Sequence, residues 1–314
     1  MLIWILQIGE ALPIDRGARM LRTSLLADQL ALRGHKVIWW ASTFNHFRKN
    51  WYFNKDTELR INDYLTIKAL KGVGYSKNVS LSRIIDHRII ARKFRKMAPA
   101  MQQPDIIISS MPSYDLAFES VIYAEKRDIP VVVDIRDQWP DIFLDAVPER
   151  IKWLARILMA SEFSMLKKLL TKADGLISMT SDILDWGLQK ASRKKTRCDK
   201  VFYLGYKRDV LSTLSKDNRI HELIRKMEGK FIVLFIGTFA TYHNPQIMIE
   251  CAENIKDSKI LFVVAGDGEL AIHLKSRATH LENVIFPGWL NQAEVTALLR
   301  HSHVGVCPTG EHAN

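Results

Sequence analysis

The sequence predicts an α/β protein of two domains, each a parallel sheet covered by helices on both faces. Three observations carry this expectation. Short apolar runs rich in β-formers, such as Lys259-Ile260-Leu261-Phe262-Val263-Val264-Ala265, alternate with stretches of helical periodicity. Several runs stop at glycine turns: Gly266-Asp267-Gly268-Glu269, Pro287-Gly288-Trp289-Leu290 and Pro308-Thr309-Gly310-Glu311. At 314 residues the chain exceeds the usual single-domain range. Glycine at the carboxyl end of a parallel strand lets a ligand approach backbone N–H groups and helix N-termini. The last third therefore reads as half of a nucleotide site that stops before it closes.

In chain order, Leu2 to Gln7 and Ile8 form the first strand and Gly9 to Asp15 a loop. Arg16-Gly17-Ala18-Arg19 opens a helix carrying Leu21, Leu25, Leu26, Leu30 and Leu32, which Gly34 ends before the strand at Lys36 to Trp40. Gly17 is either a plain helix start or a close-approach point for a ligand. The glycines do not form the G-x-G-x-x-G fingerprint, which disfavours a dinucleotide-dependent dehydrogenase. Phe44 to Lys77 is long, aromatic and basic, with a strand expected at Leu65 to Ile67. Arg83 to Met97 is amphipathic, its polar side holding Arg83, Arg88, Arg92, Lys93, Arg95 and Lys96 against one acid, Asp86. That stretch is either a surface helix packed on the sheet or a face attracted to anionic lipid. Nucleic acid is not expected, since no aromatic platform interleaves the cations.

Asp105 to Ser109 and Val131 to Ile135 read as further strands. The second leads into Arg136-Asp137-Gln138-Trp139-Pro140-Asp141, a charged loop where functional groups of such sheets gather. Its bland alternative is a capping Asp with a structural Arg–Asp pair. Trp153 to Leu170 is expected to be one long helix, its large apolar side chains serving core packing or, as the alternative, membrane contact. Gly175 to Met179 is a strand, followed by a helix cap at Thr180-Ser181-Asp182. Gly205 to Asp209 is the expected hinge, dividing domains 1–205 and 206–314. The second opens with Phe231 to Ile236 and the turn Gly237 to His243; His243 is either a plain surface histidine or a phosphate neighbour.

The net charge of +11 lies wholly in the first domain: residues 1–205 hold 33 Lys+Arg against 22 Asp+Glu, and residues 206–314 hold 12 of each. Three separated cysteines, Cys198, Cys251 and Cys307, argue for a reducing compartment and against a disulfide framework or metal site. No apolar run approaches the roughly 18 residues of a membrane span. Leu2 to Ile8 lacks the positive flank of a secretory signal, so the expected location is cytoplasmic.

Taken as an ordered series, these features resemble the GT-B fold glycosyltransferases, in particular the retaining family 4. The matching stretches are Gly17 with Arg33-Gly34-His35-Lys36-Val37, Asp134-Ile135-Arg136-Asp137-Gln138-Trp139-Pro140 and Tyr203-Leu204-Gly205-Tyr206. They continue with Gly237-Thr238-Phe239 and His243, Gly266-Asp267-Gly268-Glu269, and Phe286-Pro287-Gly288-Trp289. The Arg-Asp-x-Trp-Pro loop looks like the subgroup that transfers N-acetylated amino sugars in surface-polysaccharide pathways. The resemblance implies two Rossmann-like domains, the first for a lipid-linked or oligosaccharide acceptor and the second for a nucleotide sugar, UDP-linked, with no metal and no other cofactor. It implies that Gly17, Gly237, Thr238, His243, Asp267, Gly268, Glu269, Trp289 and Leu290 border the donor, and that Arg136 and Asp137 stand on the acceptor side of the reacting centre. Arg88, Arg92, Lys93, Arg95 and Lys96 are expected to meet the anionic inner face of the plasma membrane. Thr238 and His243 stand where many family members have Arg and Lys, and Arg136 stands where the common pattern has His. Family members also carry a further helix with two glutamates, so the second domain is expected to be incomplete. A nucleotide-sugar epimerase of the same fold and a non-catalytic membrane- or partner-binding module remain alternatives.

Overall fold

The computed structural model describes residues 1–14, 20–78, 80–145, 147–205 and 218–308. They form two compact units, one of residues 1–14 with 20–205 and one of residues 218–308. Gly17, residues 206–209 of the expected hinge, and Thr309, Gly310 and Glu311 lie outside the described residues.

The first unit runs β1 (Leu2–Leu6), α1 (Arg22–Leu32), β2 (Lys36–Ser42), β3 (Phe44–Asn45), β4 (Asn50–Trp51), β5 (Thr57–Arg60) and β6 (Leu65–Leu70). It continues with α2 (Leu81–Met97), β7 (Ile106–Met111), α3 (Tyr114–Glu125), β8 (Val131–Ile135), α4 (Asp141–Asp145), α5 (Lys152–Leu158), α6 (Ala160–Lys172), β9 (Gly175–Ser178), α7 (Ser181–Ala191) and β10 (Lys200–Val201). The sheet order is β10-β9-β8-β7-β1-β2-β6-β5. All neighbours are parallel except β5, which pairs antiparallel with β6 and so departs from the all-parallel expectation. The segment from 44 to 77 thus holds a short hairpin, β3–β4, and an edge hairpin as well as the expected strand. Short polar strands such as Thr57–Arg60 give too little apolar signal to be seen in sequence.

Period-two alternation sorts the side chains of β1 and β2 between the faces. Ile3, Ile5, Val37 and Trp39 pack toward Ala27 and Ala31 of α1. Trp4 and Trp40 point the other way, their ring centroids 5.4 Å apart, and Phe94 of α2 meets Trp40 edge-on at 5.0 Å. Tyr123 of α3 stacks on Trp4 at 5.4 Å, so one aromatic cluster joins two strands and two helices. Ser80, Ser113 and Thr180 cap α2, α3 and α7, the last as the sequence predicts.

The expected single helix from Trp153 to Leu170 is instead two, α5 and α6, with Met159 between them at φ −98°, ψ 13°. Leu166, Leu169 and Leu170 of α6 are buried, but α5 buries nothing. Trp153, Leu154, Ile157 and Leu158 lie exposed, Trp153 by 63% and Leu158 by 74%. Among the described residues, no helix is long and apolar enough to cross a membrane.

The second unit comprises α8 (Asn218–Met227), β11 (Phe231–Thr238), α9 (Gln246–Asn254), β12 (Ile260–Asp267), α10 (Ala271–Arg277), β13 (Val284–Gly288), α11 (Gln292–His301) and β14 (Val304–Gly305). Its sheet is parallel throughout, in the order β13-β12-β11-β14. Ile220, Leu223, Ala297 and Leu298 from α8 and α11 cover one face. Met248, Ile249, Ala271 and Leu274 from α9 and α10 cover the other, which makes the unit doubly wound. Asn291 and Glu294 form a reciprocal capping box at the start of α11.

Because Phe94 is fully buried among three aromatic rings, Phe94→Ala should cost about 3–5 kcal/mol of stability. The change should appear as a lowered urea midpoint of the first unit's transition, read from its tryptophan fluorescence.

Candidate functional site

Each unit presents chemistry at the carboxyl ends of its own strands. In the first, a buried ion network surrounds Arg136, directly after β8. Its Nε donates to Asp134 at 2.8 Å, its Nη2 to the Thr23 hydroxyl at 2.7 Å, and its Nη1 to Glu10. Asp134 also accepts from Arg22 Nε at 3.0 Å, and Arg22 Nη1 donates to the Phe202 carbonyl at 2.6 Å. The Glu10 carboxylate accepts from the Thr23 backbone N–H at 3.0 Å, so it caps α1, whose own N-cap residue is Leu21. The Arg136 guanidinium is committed to holding these elements together.

Asp137, one residue on, faces a different group. Burial pushes its carboxyl up, opposed by the Gln138 N–H, the Trp139 side chain and the Arg83 charge. Arg83, in the first turn of α2, lies 4.6 Å from the Trp139 ring and 5.5 Å from that of Tyr75. Lys49, at the tip of the β3–β4 hairpin, lies 4.8 Å from the same Tyr75 ring. His46 Nδ1 is 2.6 Å from Tyr75 Oη. Burial, then the Lys49 and Arg83 charges, lower His46 to about 4; burial pushes Tyr75 up to about 12. His87 stacks on Trp139 and is lowered to about 3, chiefly by burial.

Sequence reasoning named Asp137, placed Arg83 only among the cations of an amphipathic stretch, and missed His46, Lys49, Tyr75 and His87. The only signal was the aromatic, basic character of residues 44–77. Asp86 holds the cluster's frame: its carboxylate accepts from Gly74 N at 2.8 Å, and a Cβ on Gly72 would meet that oxygen at 2.0 Å. Gly74 itself sits at φ +71°, with Trp51 where a side chain would go.

In the second unit, β11, β12 and β13 are neighbours, so Gly237 and Thr238, Asp267 to Glu269, and Trp289 with Leu290 come together at one sheet edge. Gly266, at φ +138°, lies so close to β11 that a Cβ would fall 1.8 Å from the Gly237 carbonyl oxygen. A Cβ on Gly268 would fall 2.6 Å from the Phe239 carbonyl oxygen. Thr238, Asp267, Gly268 and Glu269 are exposed, and Trp289 is 67% exposed. Arg219 of α8 donates to the Trp289 carbonyl at 3.2 Å and to that of Pro287, anchoring this loop in a way the sequence did not reveal. Leu290 packs into the core below. His243 occupies the turn just before α9. An open concavity of about 760 Å³ lies at the opposite, amino-terminal edge of this sheet, beside Lys230, Lys259 and His303. Ligands of parallel sheets gather at the carboxyl ends, so it is no part of the candidate site.

The basic face of α2 is largely neutralised. Arg88 pairs with Asp115 at 3.6 Å and Glu162 at 3.1 Å, Lys93 with Asp56 at 2.6 Å, and Arg95 with Glu119 at 3.2 Å. Arg92 and Lys96 are exposed and form no ion pair among the described residues.

The chain shares its fold with solved structures. The Anabaena Alr3699/HepE structure in complex with UDP and glucose aligns with a TM-score of 0.61 and 13% identity, covering 98% of this chain and 74% of that one. The E. coli trehalose-6-phosphate structure bound with UDP-2-fluoro glucose aligns at 0.66 and 12%, covering 98% and 78%. WaaG, a glycosyltransferase involved in lipopolysaccharide biosynthesis, aligns at 0.58 and 14%, covering 100% and 76%. These likenesses show a GT-B fold of two Rossmann-like domains. A family model described as glycosyl transferases group 1 matches residues 216–312. No curated protein matches the chain.

His87 gives a pH test. Its folded-state value lies below the ordinary 6.5, so the unfolded chain takes up a proton first as pH falls. The stability it lends is present above pH 6.5 and drains away toward about 3, a loss of about 3 kcal/mol by pH 4. Asp86, Asp115 and Asp137, pushed up by burial, act in the opposite sense. The measurement is therefore the difference in slope of stability against pH between the parent and His87→Gln. The variant should fall less steeply between pH 6.5 and 4.

Proposed function

We propose that this chain is a glycosyltransferase that moves an N-acetylated sugar from a UDP-linked donor to a lipid-linked or saccharide acceptor, with retention, in cell-surface polysaccharide biosynthesis. The observation that carries the reading is where the glycosyl transferases group 1 match falls: residues 216–312 contain all three strand ends that meet at the second unit's sheet edge. The UDP, glucose and UDP-2-fluoro glucose bound in the neighbouring folds support a UDP-linked donor. Departure of a nucleoside diphosphate leaves an oxocarbenium-like centre and concentrates charge on the diphosphate. With no metal in the mechanism, backbone N–H groups around Gly237, Thr238 and Gly268, together with His243, receive that charge. The exposed Trp289 ring takes the base, and Asp267 and Glu269 border the donor. Asp137 faces the acceptor, while Arg136 acts as a positioning residue for the loop that carries it.

The test combines the full chain, labelled UDP-N-acetylglucosamine and a polyprenyl-diphosphate-linked sugar. The expected result is acceptor-dependent product, with kcat reduced about tenfold or more in Asp137→Asn and UDP affinity unchanged. Interconversion of the free nucleotide sugar without acceptor would favour an epimerase instead. Absence of UDP binding would leave the binding-module reading.

Membrane attachment in this reading uses α5 as well as α2. Trp153, Leu154, Ile157 and Leu158 occupy one exposed helix face, flanked by Arg150 and Arg156, while Lys152 pairs with Glu149. Apolar side chains between cations are what an anionic interface retains. Ile157→Ser with Leu158→Ser should weaken binding to phosphatidylglycerol-containing vesicles at least tenfold in a flotation assay. Arg92→Gln with Lys96→Gln should weaken it less, and an unchanged α5 variant would remove α5 from the contact.

A further inference from the structure

The first unit holds two neighbouring cations without ion pairs among the described residues: Arg83 feels the Asp137 and Asp86 charges but pairs with neither, and no carboxylate is among the charges acting on Lys49. Lys49 Nζ and the Arg83 guanidinium approach the same Tyr75 ring, at 4.8 and 5.5 Å from its centroid. Neither forms an ion pair among the described residues; Lys49 reaches the Asn78 side chain and Arg83 the Asn78 carbonyl at 2.8 Å. Arg83 Nε is buried and has no hydrogen-bond partner, a costly vacancy for a guanidinium. Each cation is destabilised by its own burial, and Lys49 also by the Arg83 charge. His46 stands beside them through its contact with Tyr75. Lys49 further occupies the left-handed region at φ 54°, a position that suits glycine or asparagine better than lysine.

Of the two cations, Asp137 and Asp86 act on Arg83 alone, so the repulsion between Lys49 and Arg83 in this half-buried place is relieved when an anion meets both. We propose that Lys49, Arg83 and His46 bind a phosphate or diphosphate group, and, resting on the glycosyltransferase reading, that the acceptor carries this group. A phosphate or diphosphate offers more acceptor oxygens than the two of a carboxylate, enough to meet the Lys49 amine and the Arg83 guanidinium at once. The amino-terminal end of α2, a helix of 17 residues, adds its dipole on the same side, since Arg83 lies in its first turn. Tyr75 and Trp139, which carry Arg83 between their rings, fix the guanidinium's direction before the anion arrives. Asp137 follows β8 on the edge of the same cluster, so a phosphate held here would place the group attached to it beside the one carboxylate assigned to the acceptor.

The experiment is calorimetric titration of the full chain with inorganic diphosphate in saturating UDP, which occupies the donor side. UDP binding measured beforehand reports separately on the glycosyltransferase reading. The expected result is one diphosphate site, weakened at least tenfold by Arg83→Gln and by Lys49→Gly, with Arg60→Gln unchanged. Lys49→Gly removes the amine yet fits the left-handed backbone, so its melting temperature should stay at or above the parent's and loss of binding cannot be laid to unfolding. Absence of binding, or binding indifferent to both variants, would overturn the proposal. Preference for glucuronate over diphosphate would overturn the phosphate assignment. Farnesyl diphosphate distinguishes the source: tighter binding than inorganic diphosphate points to a lipid-linked ligand and equal binding to a soluble phosphate ester, and either must be lost in Arg83→Gln.

Discussion

The first unit depends on four buried charges that are stable only together. Arg136 and Arg22 meet Asp134 and Glu10 within hydrogen-bonding distance, and the set is neutral overall. Removing one partner would leave an uncompensated charge in low dielectric, worth about 3–5 kcal/mol. The network joins the loop after β1, the start of α1, the end of β8 and the chain after β10 at Phe202. One oxygen, Asp134 Oδ1, stays buried without a partner, so even this assembly is not free of cost. What the network yields is a fixed exit from β8, and Asp137 and Trp139 project from that exit.

Trp139 then extends the order outward. It stacks with His87, meets Phe143 edge-on at 4.6 Å, and lies beneath Arg83. The Asp86 carboxylate, one residue before His87, ties the loop after β6 to the same helix. The polar cluster therefore has aromatic walls and a hydrogen-bonded floor, and its cations have little freedom to close ion pairs with the carboxylates nearby.

Local patterns were legible where one segment decides its own structure. The run from Lys259 to Ala265 became β12, Thr180 became a cap, and the glycines at 266 and 268 fell where two strand ends approach too closely for any Cβ. What failed was whatever depends on a partner far along the chain. For the α2 cations the sequence left a packed surface helix and a lipid-facing one open, and it did not show the pairing of three of them with Asp56, Asp115, Glu119 and Glu162 on other elements. The apolar side chains of 153–158 looked like core because periodicity records which residues share a face, not what covers it. His46, Tyr75 and Arg83 carry no motif in common; the hairpin tip, the loop after β6 and the first turn of α2 meet only in three dimensions. At Arg136 the sequence left chemistry and a structural Arg–Asp pair both open, and the contacts show the pair, with Glu10 and Thr23 joining from far along the chain.

The contact between Gly266 and the Gly237 carbonyl also bears on how this protein can diverge. Two adjacent strand ends are interlocked at a point where no other residue fits, so variation there is closed off on steric grounds alone. The neighbouring exposed positions, Thr238, Glu269 and Trp289, face no such limit. Change at this sheet edge is therefore channelled into a few surface side chains around an unchanging backbone hinge-pin. Descendants of this chain would keep the glycines and differ at those three places.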